Sequence, residues 1–147
     1  MNLWHSGVSM YRCKHFDIKE LVPEDMYLKY GDKCWLLFDE RALMTIDAIR
    51  EFVGVPAIIN NWHNKGSYSQ RGFRTDIKTG APLSQHRFGR AFDITFQTIK
   101  GVEGYNALRQ EIVKNKAKFP YLRGLEDNIN WLHIDTRNVE SMIVFNP

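Results

Sequence analysis

His86, Asp93 and His133 are the residues of this chain whose types and spacing suit metal chemistry. His86 and Asp93 stand seven positions apart in Ser84-Gln85-His86-Arg87-Phe88-Gly89-Arg90-Ala91-Phe92-Asp93, and His133 stands in Trp131-Leu132-His133-Ile134-Asp135. Two imidazole nitrogens and one carboxylate oxygen form the ligand set of a catalytic zinc that keeps its fourth position open for water. If the three side chains converge, they imply a hydrolase. A His followed by an Asp seven residues later arises often by chance, so the elements that carry them must bring them together.

The surrounding sequence is patterned to do so. From Ala91 to Phe96 the residues alternate, with Phe92, Ile94 and Phe96 on one face and Ala91, Asp93 and Thr95 on the other, as in a strand. The core takes the phenylalanines and leaves Asp93 facing a polar side. Between 129 and 135, Leu132 and Ile134 alternate against Trp131, His133 and Asp135, which puts His133 on a non-core face as well. Gly89 permits a tight turn that folds His86 back over Asp93.

Other elements are legible around this pair. Asp17 followed by Glu20 predicts a capping box that opens a short helix, and Pro23 stops it. Leu43, Ile46, Ile49 or Arg50, and Val53 recur at helical spacing after Asp39, and Gly54 follows as a C-terminal cap, which predicts a helix over 39–54. Residues 55–62 read as a strand rich in β-branched side chains. Residues 66–82, rich in Gly, Ser, Thr and Asp, read as a long loop of the kind that carries function. A helix is expected over 104–118, with Leu108, Ile112 and, at its margin, Val113 inward, ended by Pro120. There is no repeat, low-complexity tract or linker. The expectation is one α+β domain over 1–147, a small antiparallel sheet flanked by helices, with a zinc cleft on the polar face of the sheet.

Composition narrows the function classes. The chain has 147 residues, enough for a real core; 44% are hydrophobic and 25% charged, as in ordinary globular proteins. Twenty Lys and Arg against seventeen Asp and Glu give a net +3. That is too weak and dispersed for nucleic acid, though it helps on an anionic surface such as a bacterial wall. Cys13 and Cys34 match no zinc spacing and are expected as free thiols. Met1-Asn2-Leu3-Trp4-His5-Ser6 lacks the basic start and apolar run of a signal peptide. No apolar stretch approaches the roughly 20 residues that span a bilayer. Cytoplasmic synthesis without membrane insertion is the expectation.

The complete Ser-x-His-x-x-Gly-x-Ala-x-Asp pattern at 84–93 is far more specific than its two ligand candidates. Together with Trp131-Leu132-His133-Ile134-Asp135 it resembles the zinc peptidases that include D-Ala-D-Ala carboxypeptidases, D-Ala-D-Ala dipeptidases and phage L-alanyl-D-glutamate endolysins. Their fold also appears in the hedgehog signalling domain. Further resemblance to the phage branch lies in Cys13-Lys14-His15-Phe16-Asp17-Ile18-Lys19-Glu20-Leu21-Val22, in Ile59-Asn60-Asn61-Trp62-His63 and in Arg71-Gly72-Phe73-Arg74-Thr75. The likeness thus covers most of the chain.

The resemblance implies zinc held by His86, Asp93 and His133. Peptide hydrolysis builds negative charge on the carbonyl oxygen, and a fixed cation stabilises it; the resemblance assigns this to Arg74, with Arg71 as the neighbouring alternative. Many family members place an acid three positions before the last ligand. Here that position is Asn130, which cannot act as a base. Glu126 and Asp127 lie seven and six positions before His133. Phage relatives resemble the first spacing and the hedgehog branch the second, so Glu126 is the expected general base and Asp127 the alternative.

Asp135 is expected either to orient an imidazole or to pair with Arg137. His63 either borders the cleft or lies on the surface, and Trp62, Tyr68 and Trp131 form cleft walls or core. His5 and His15 carry no signal. The activity implied is that of a zinc metallopeptidase, carboxypeptidase or endopeptidase, cutting peptidoglycan stem peptides as a phage endolysin or virion-associated lysin. Such an enzyme is a monomer made in the infected cytoplasm and acts on the wall after release. Asn130 motivates the alternative, a module that keeps the fold and the zinc without catalysis.

Overall fold

The alternation at 91–96 is realised as β2 (Ala91–Phe96), an interior strand of the sheet. A computed structural model describes residues 10–147; residues 1–9, His5 and the start of the chain among them, lie outside it. Five strands, β1 (Ala57–Ile58), β2, β3 (Gly124–Glu126), β4 (Leu132–Asp135) and β5 (Ile143–Phe145), form one sheet in the order β1-β2-β4-β3-β5. β2 is antiparallel to both β1 and β4, and β3 is antiparallel to β4. The sheet is not purely antiparallel as expected, because β5 runs parallel to β3. The chain leaves β4 beside Gly124 and re-enters as β5 beside the same residue. The connection passes across the start of β3 to its outer side, so β5 reverses β4 and matches β3.

The apolar halves of the alternating strands share one core with the helices. Phe92, Ile94, Phe96, Leu132 and Ile134 join Leu43, Ile46 and Ile49 of helix α2 (Glu40–Val53) and Leu108 and Ile112 of helix α3 (Gly101–Lys114). Helix α2 has the predicted ends. Asp39 caps it by accepting a hydrogen bond from the Arg41 amide at 3.0 Å, and Gly54 closes it in the left-handed conformation. Helix α3 starts three residues earlier than its apolar pattern indicated, since its first turn is exposed and carries no core signal. Val113 faces solvent rather than the core.

The Asp17–Glu20 capping box is present, but it opens only a 3-10 turn, Ile18–Glu20. Helix α1 (Glu24–Tyr30) follows Pro23 and leads into a 3-10 run, Gly31–Leu37, that buries Cys34 and Trp35. None of the α1 side chains is buried, and so no periodicity announced it. Cys13 and Cys34 are both free thiols, bonded to the carbonyls of Leu43 and Met26.

The strand expected over 55–62 shrinks to Ala57–Ile58, paired with Phe96 and Thr95 of β2. Beyond it the chain turns inward. Buried Asn60 donates to the Val22 carbonyl at 3.2 Å and accepts from the Arg71 amide at 3.0 Å. The loop over 66–82 has no helix or strand, yet it is tied down: Gln70 Oε1 accepts from the amides of Thr75 and Asp76 at 2.8 and 3.1 Å. Phe73 donates to the Leu21 carbonyl at 2.8 Å, and any Cβ at Gly72 would collide with that same carbonyl. Among the described residues no helix is long and apolar enough to cross a membrane.

The core should respond as a packed one. Phe92 is fully buried and stacks on Phe38 at 5.4 Å between ring centroids. Phe92→Ala should cost about 3–5 kcal/mol, seen as a lower urea midpoint with an unchanged m-value.

Candidate metal centre

Strand register sets the first contact. Asp93 on β2 is the direct antiparallel partner of His133 on β4, and such partners carry their Cβ atoms about 4.5–5.5 Å apart on one face. His133 Nδ1 lies 2.9 Å from Asp93 Oδ1. His86 arrives from the 3-10 turn Gln85–Phe88, which Ser84 caps and Gly89 ends. Gly89 has φ +69°, and a Cβ there would strike the Leu37 carbonyl, so only glycine lets the turn pack this closely. The turn brings His86 Nε2 to 3.2 Å from the same Asp93 Oδ1. Donor atoms of His86, Asp93 and His133 all lie within 4.8 Å of one another, and the three residues are buried. Among the described residues no other trio of His, Cys, Asp or Glu meets this way.

The outer nitrogens are fixed by acceptors. His86 Nδ1 donates to the Gly72 carbonyl at 2.9 Å. His133 Nε2 donates to Asp135 Oδ2 at 2.9 Å. Each imidazole therefore holds its proton on the outer nitrogen and can present the inner lone pair to an ion, the arrangement in which a carbonyl or carboxylate behind a ligating histidine orients it and makes it more basic. Asp135 is held in turn by Arg137, at 2.8 Å from Nε and 2.6 Å from Nη2. The two roles expected as alternatives for Asp135 are both present.

The electrostatics follow from burial and neighbours. Burial alone would raise the Asp93 carboxyl, but the charge of His86 and hydrogen bonds from His133 and His86 hold it well below the usual carboxylate range. For His133, burial favours the neutral ring, and hydrogen bonds to Asp135 and Asp93 overcome this and lift it to about 9. Asp135 is pulled down to about 2: burial opposes the shift, and the Arg137 and His133 hydrogen bonds drive it. The two buried carboxylates thus hold a proton on His133, and a cation binding the inner nitrogens would take that proton's place. The donor set, two imidazoles and one carboxylate with lone pairs turned inward, can hold a metal ion.

The remaining expected residues separate clearly. Arg74 Nη2 lies 3.6 Å from Asp93 Oδ2, with Nε on the Gln70 carbonyl and Nη1 on the Ser84 hydroxyl, both at 3.2 Å. Burial lowers its pKa and Asp93 works against that. Arg71 stacks on Tyr68 at 4.3 Å, further from the cluster. Glu126, half-buried at the end of β3, puts Oε2 3.9 Å from His133 Nδ1. Asp127 is not there: it pairs with Arg109 Nε at 3.4 Å. Tyr68, Arg71, Arg74, Asp93, Asn130 and Trp131 all line one groove of about 1160 Å³. Trp62 is not in its wall but donates to the Val22 carbonyl at 2.8 Å. His63 stacks edge-on against Trp62 instead of bordering the groove, and His15 pairs with Glu51.

Sequence reasoning missed the supports. Ser84 stands out in the sequence only as part of a pattern, and Gln70 and the Gly72 carbonyl carry no signal, since a carbonyl has no residue type and Gln70 acts through a fold of its own loop. Compared with protein-family models, curated proteins and solved structures, the chain matches none.

The centre predicts its own dissection. Wild-type protein should bind one cobalt(II) ion with a ligand-field absorption, and His86→Ala and His133→Ala should each abolish it. Asp135→Asn should weaken the affinity about 10–100-fold. A spectrum that survives both histidine changes would put the ion elsewhere.

Proposed function

We propose that the protein is a zinc-dependent peptidase acting on the stem peptides of bacterial peptidoglycan, with His86, Asp93 and His133 holding the ion. The observation that carries this reading is the convergence of those three donors beside an open groove, which Asp93 lines together with the guanidiniums of Arg71 and Arg74, with the Glu126 carboxylate 3.9 Å from His133. Two nitrogens and one oxygen suit zinc and leave a position for water. Held by His86, Asp93 and His133, zinc would supply Lewis-acid chemistry, making water more acidic and a carbonyl more electrophilic.

The chain supplies the rest. Glu126 stands beside the inner nitrogen of His133, where its carboxylate takes a proton from the attacking water and returns it to the leaving amine. Arg74 steadies the negative charge that grows on the scissile carbonyl oxygen. Its two hydrogen bonds and its ion pair with Asp93 fix it before substrate arrives, which is what makes such a cation effective. The groove is also lined by Tyr68, Ile99 and Tyr105, its volume of about 1160 Å³ admits a short peptide, and its arginines favour one carrying carboxylates. Asn130 in the groove wall can bind a peptide group but cannot accept a proton.

The motifs shared with the phage branch favour an endolysin or virion-associated lysin, a monomer made in an infected cell that reaches the wall after release. Asn130 supports a second reading, a zinc-holding module without catalysis; the place of Glu126 at the cluster favours the enzyme.

Incubation with purified peptidoglycan and zinc should release new amino termini. Glu126→Gln should lower kcat by about 10²–10⁴-fold with zinc stoichiometry unchanged, and Asp127→Asn should leave the rate near wild type. Full activity in Glu126→Gln removes the assignment of the base. Stoichiometric zinc with no new termini from wild-type protein establishes the binding module.

A further inference from the structure

Four arginines meet in a second, smaller cavity that the metal centre does not use. The register of the sheet puts them there. Gly124 pairs with Asp135, and Asp135 with Ala91, so β2 and β3 begin where β4 ends. Arg90 and Arg123 are the residues just before β2 and β3, and Arg137 is the second after β4. Arg41, from the first turn of α2, closes the group, because Asp39 docks that helix end on Thr136 at 3.3 Å. The four line a cavity of about 220 Å³ with Thr136 and Asn138, and among the described residues its lining carries no acid.

The charges do not cancel. Arg41 is paired with Asp39 at 3.1 Å and Arg137 with Asp135 at 2.6 Å. Arg123 bonds only backbone carbonyls, of Val139, Pro120 and Leu122. Arg90 stacks over Phe88 at 5.2 Å, and its buried Nε has no hydrogen-bond partner. Four guanidiniums against two carboxylates leave two positive charges and a set of unused donors facing one small polar space. Guanidinium forks match the oxygens of a tetrahedral oxyanion bidentately.

We propose that this cavity binds a doubly charged oxyanion of the phosphate class, either inorganic phosphate or the terminal phosphomonoester of a larger molecule. The site stands whether or not the groove cuts peptides. Arg90 and Arg123 are its committed ligands, since Arg41 and Arg137 are already engaged, and Arg137 also supports His133 through Asp135.

Calorimetric titration of the metal-bearing protein with inorganic phosphate, at constant ionic strength in chloride, tests it. One saturable site is expected, and His86→Ala should keep it, which separates it from phosphate binding at the metal centre. Arg90→Gln should weaken it about tenfold or more, and Arg90→Gln with Arg123→Gln should abolish it. The Arg90 side chain makes no hydrogen bond among the described residues, and its backbone bonds to Gln85 and Thr136 do not depend on the side chain, so the single variant should fold with an unchanged melting temperature in chloride. Glycerol 3-phosphate forms the second arm: binding tighter than inorganic phosphate identifies the phosphomonoester as the source, and weaker binding the free ion. Phosphate that binds no better than chloride, that is indifferent to Arg90→Gln, or that is lost in His86→Ala overturns the proposal.

Discussion

The direct pairing of Asp93 with His133 across β2 and β4 is the constraint on which the site depends. Side chains alternate along a strand with period two, so a slip of one residue would send one partner into the core and separate the pair. What prevents the slip is apolar. Phe92 and Ile94 on β2 and Ile134 and Leu132 on β4 are paired in the same register and fully buried beneath the sheet. The hydrophobic face therefore sets the distance between a carboxylate and an imidazole on the opposite face. The geometry of this candidate metal site is an indirect product of core packing.

Burying charged groups opposes folding unless each is paired. The cluster meets this by a chain of partners in which none stands alone. Asp93 is approached by His86, His133 and Arg74, His133 by Asp135, and Asp135 by Arg137. Removing one member leaves another charge buried and uncompensated, so the network that orients the donors also restricts how the site can vary. The loop over 66–82 belongs to the same economy. Asn60, Gln70 and the Leu21 carbonyl give it a single path, and that path supplies both the Gly72 carbonyl behind His86 and the guanidinium of Arg74.

The same strand ends that arrange the metal centre gather a separate group of cations. Arg90, Arg123 and Arg137 are far apart along the chain and become neighbours because β2 and β3 begin at the level where β4 ends. Arg137 belongs to both groups, gripping Asp135 while lining the cationic cavity.

Local pattern determined much of this protein. Alternation at 91–96 and 132–135 named the strands and their inward faces, Asp39 and Gly54 marked the ends of α2, and the residue types of His86, Asp93 and His133 marked a candidate metal site. These were legible because each depends on side-chain type and short-range periodicity. Tertiary structure decided the rest. It chose Glu126 over Asp127 for the place beside His133, because only one of two adjacent side chains on a strand end can turn to that face and Arg109 holds the other. It made β5 parallel, left α1 with no fully buried side chain, and took Trp62 and His63 away from the groove. It also recruited a carbonyl and a glutamine as supports. Such outcomes depend on which distant segments meet, and the chain records them in no single stretch of residues.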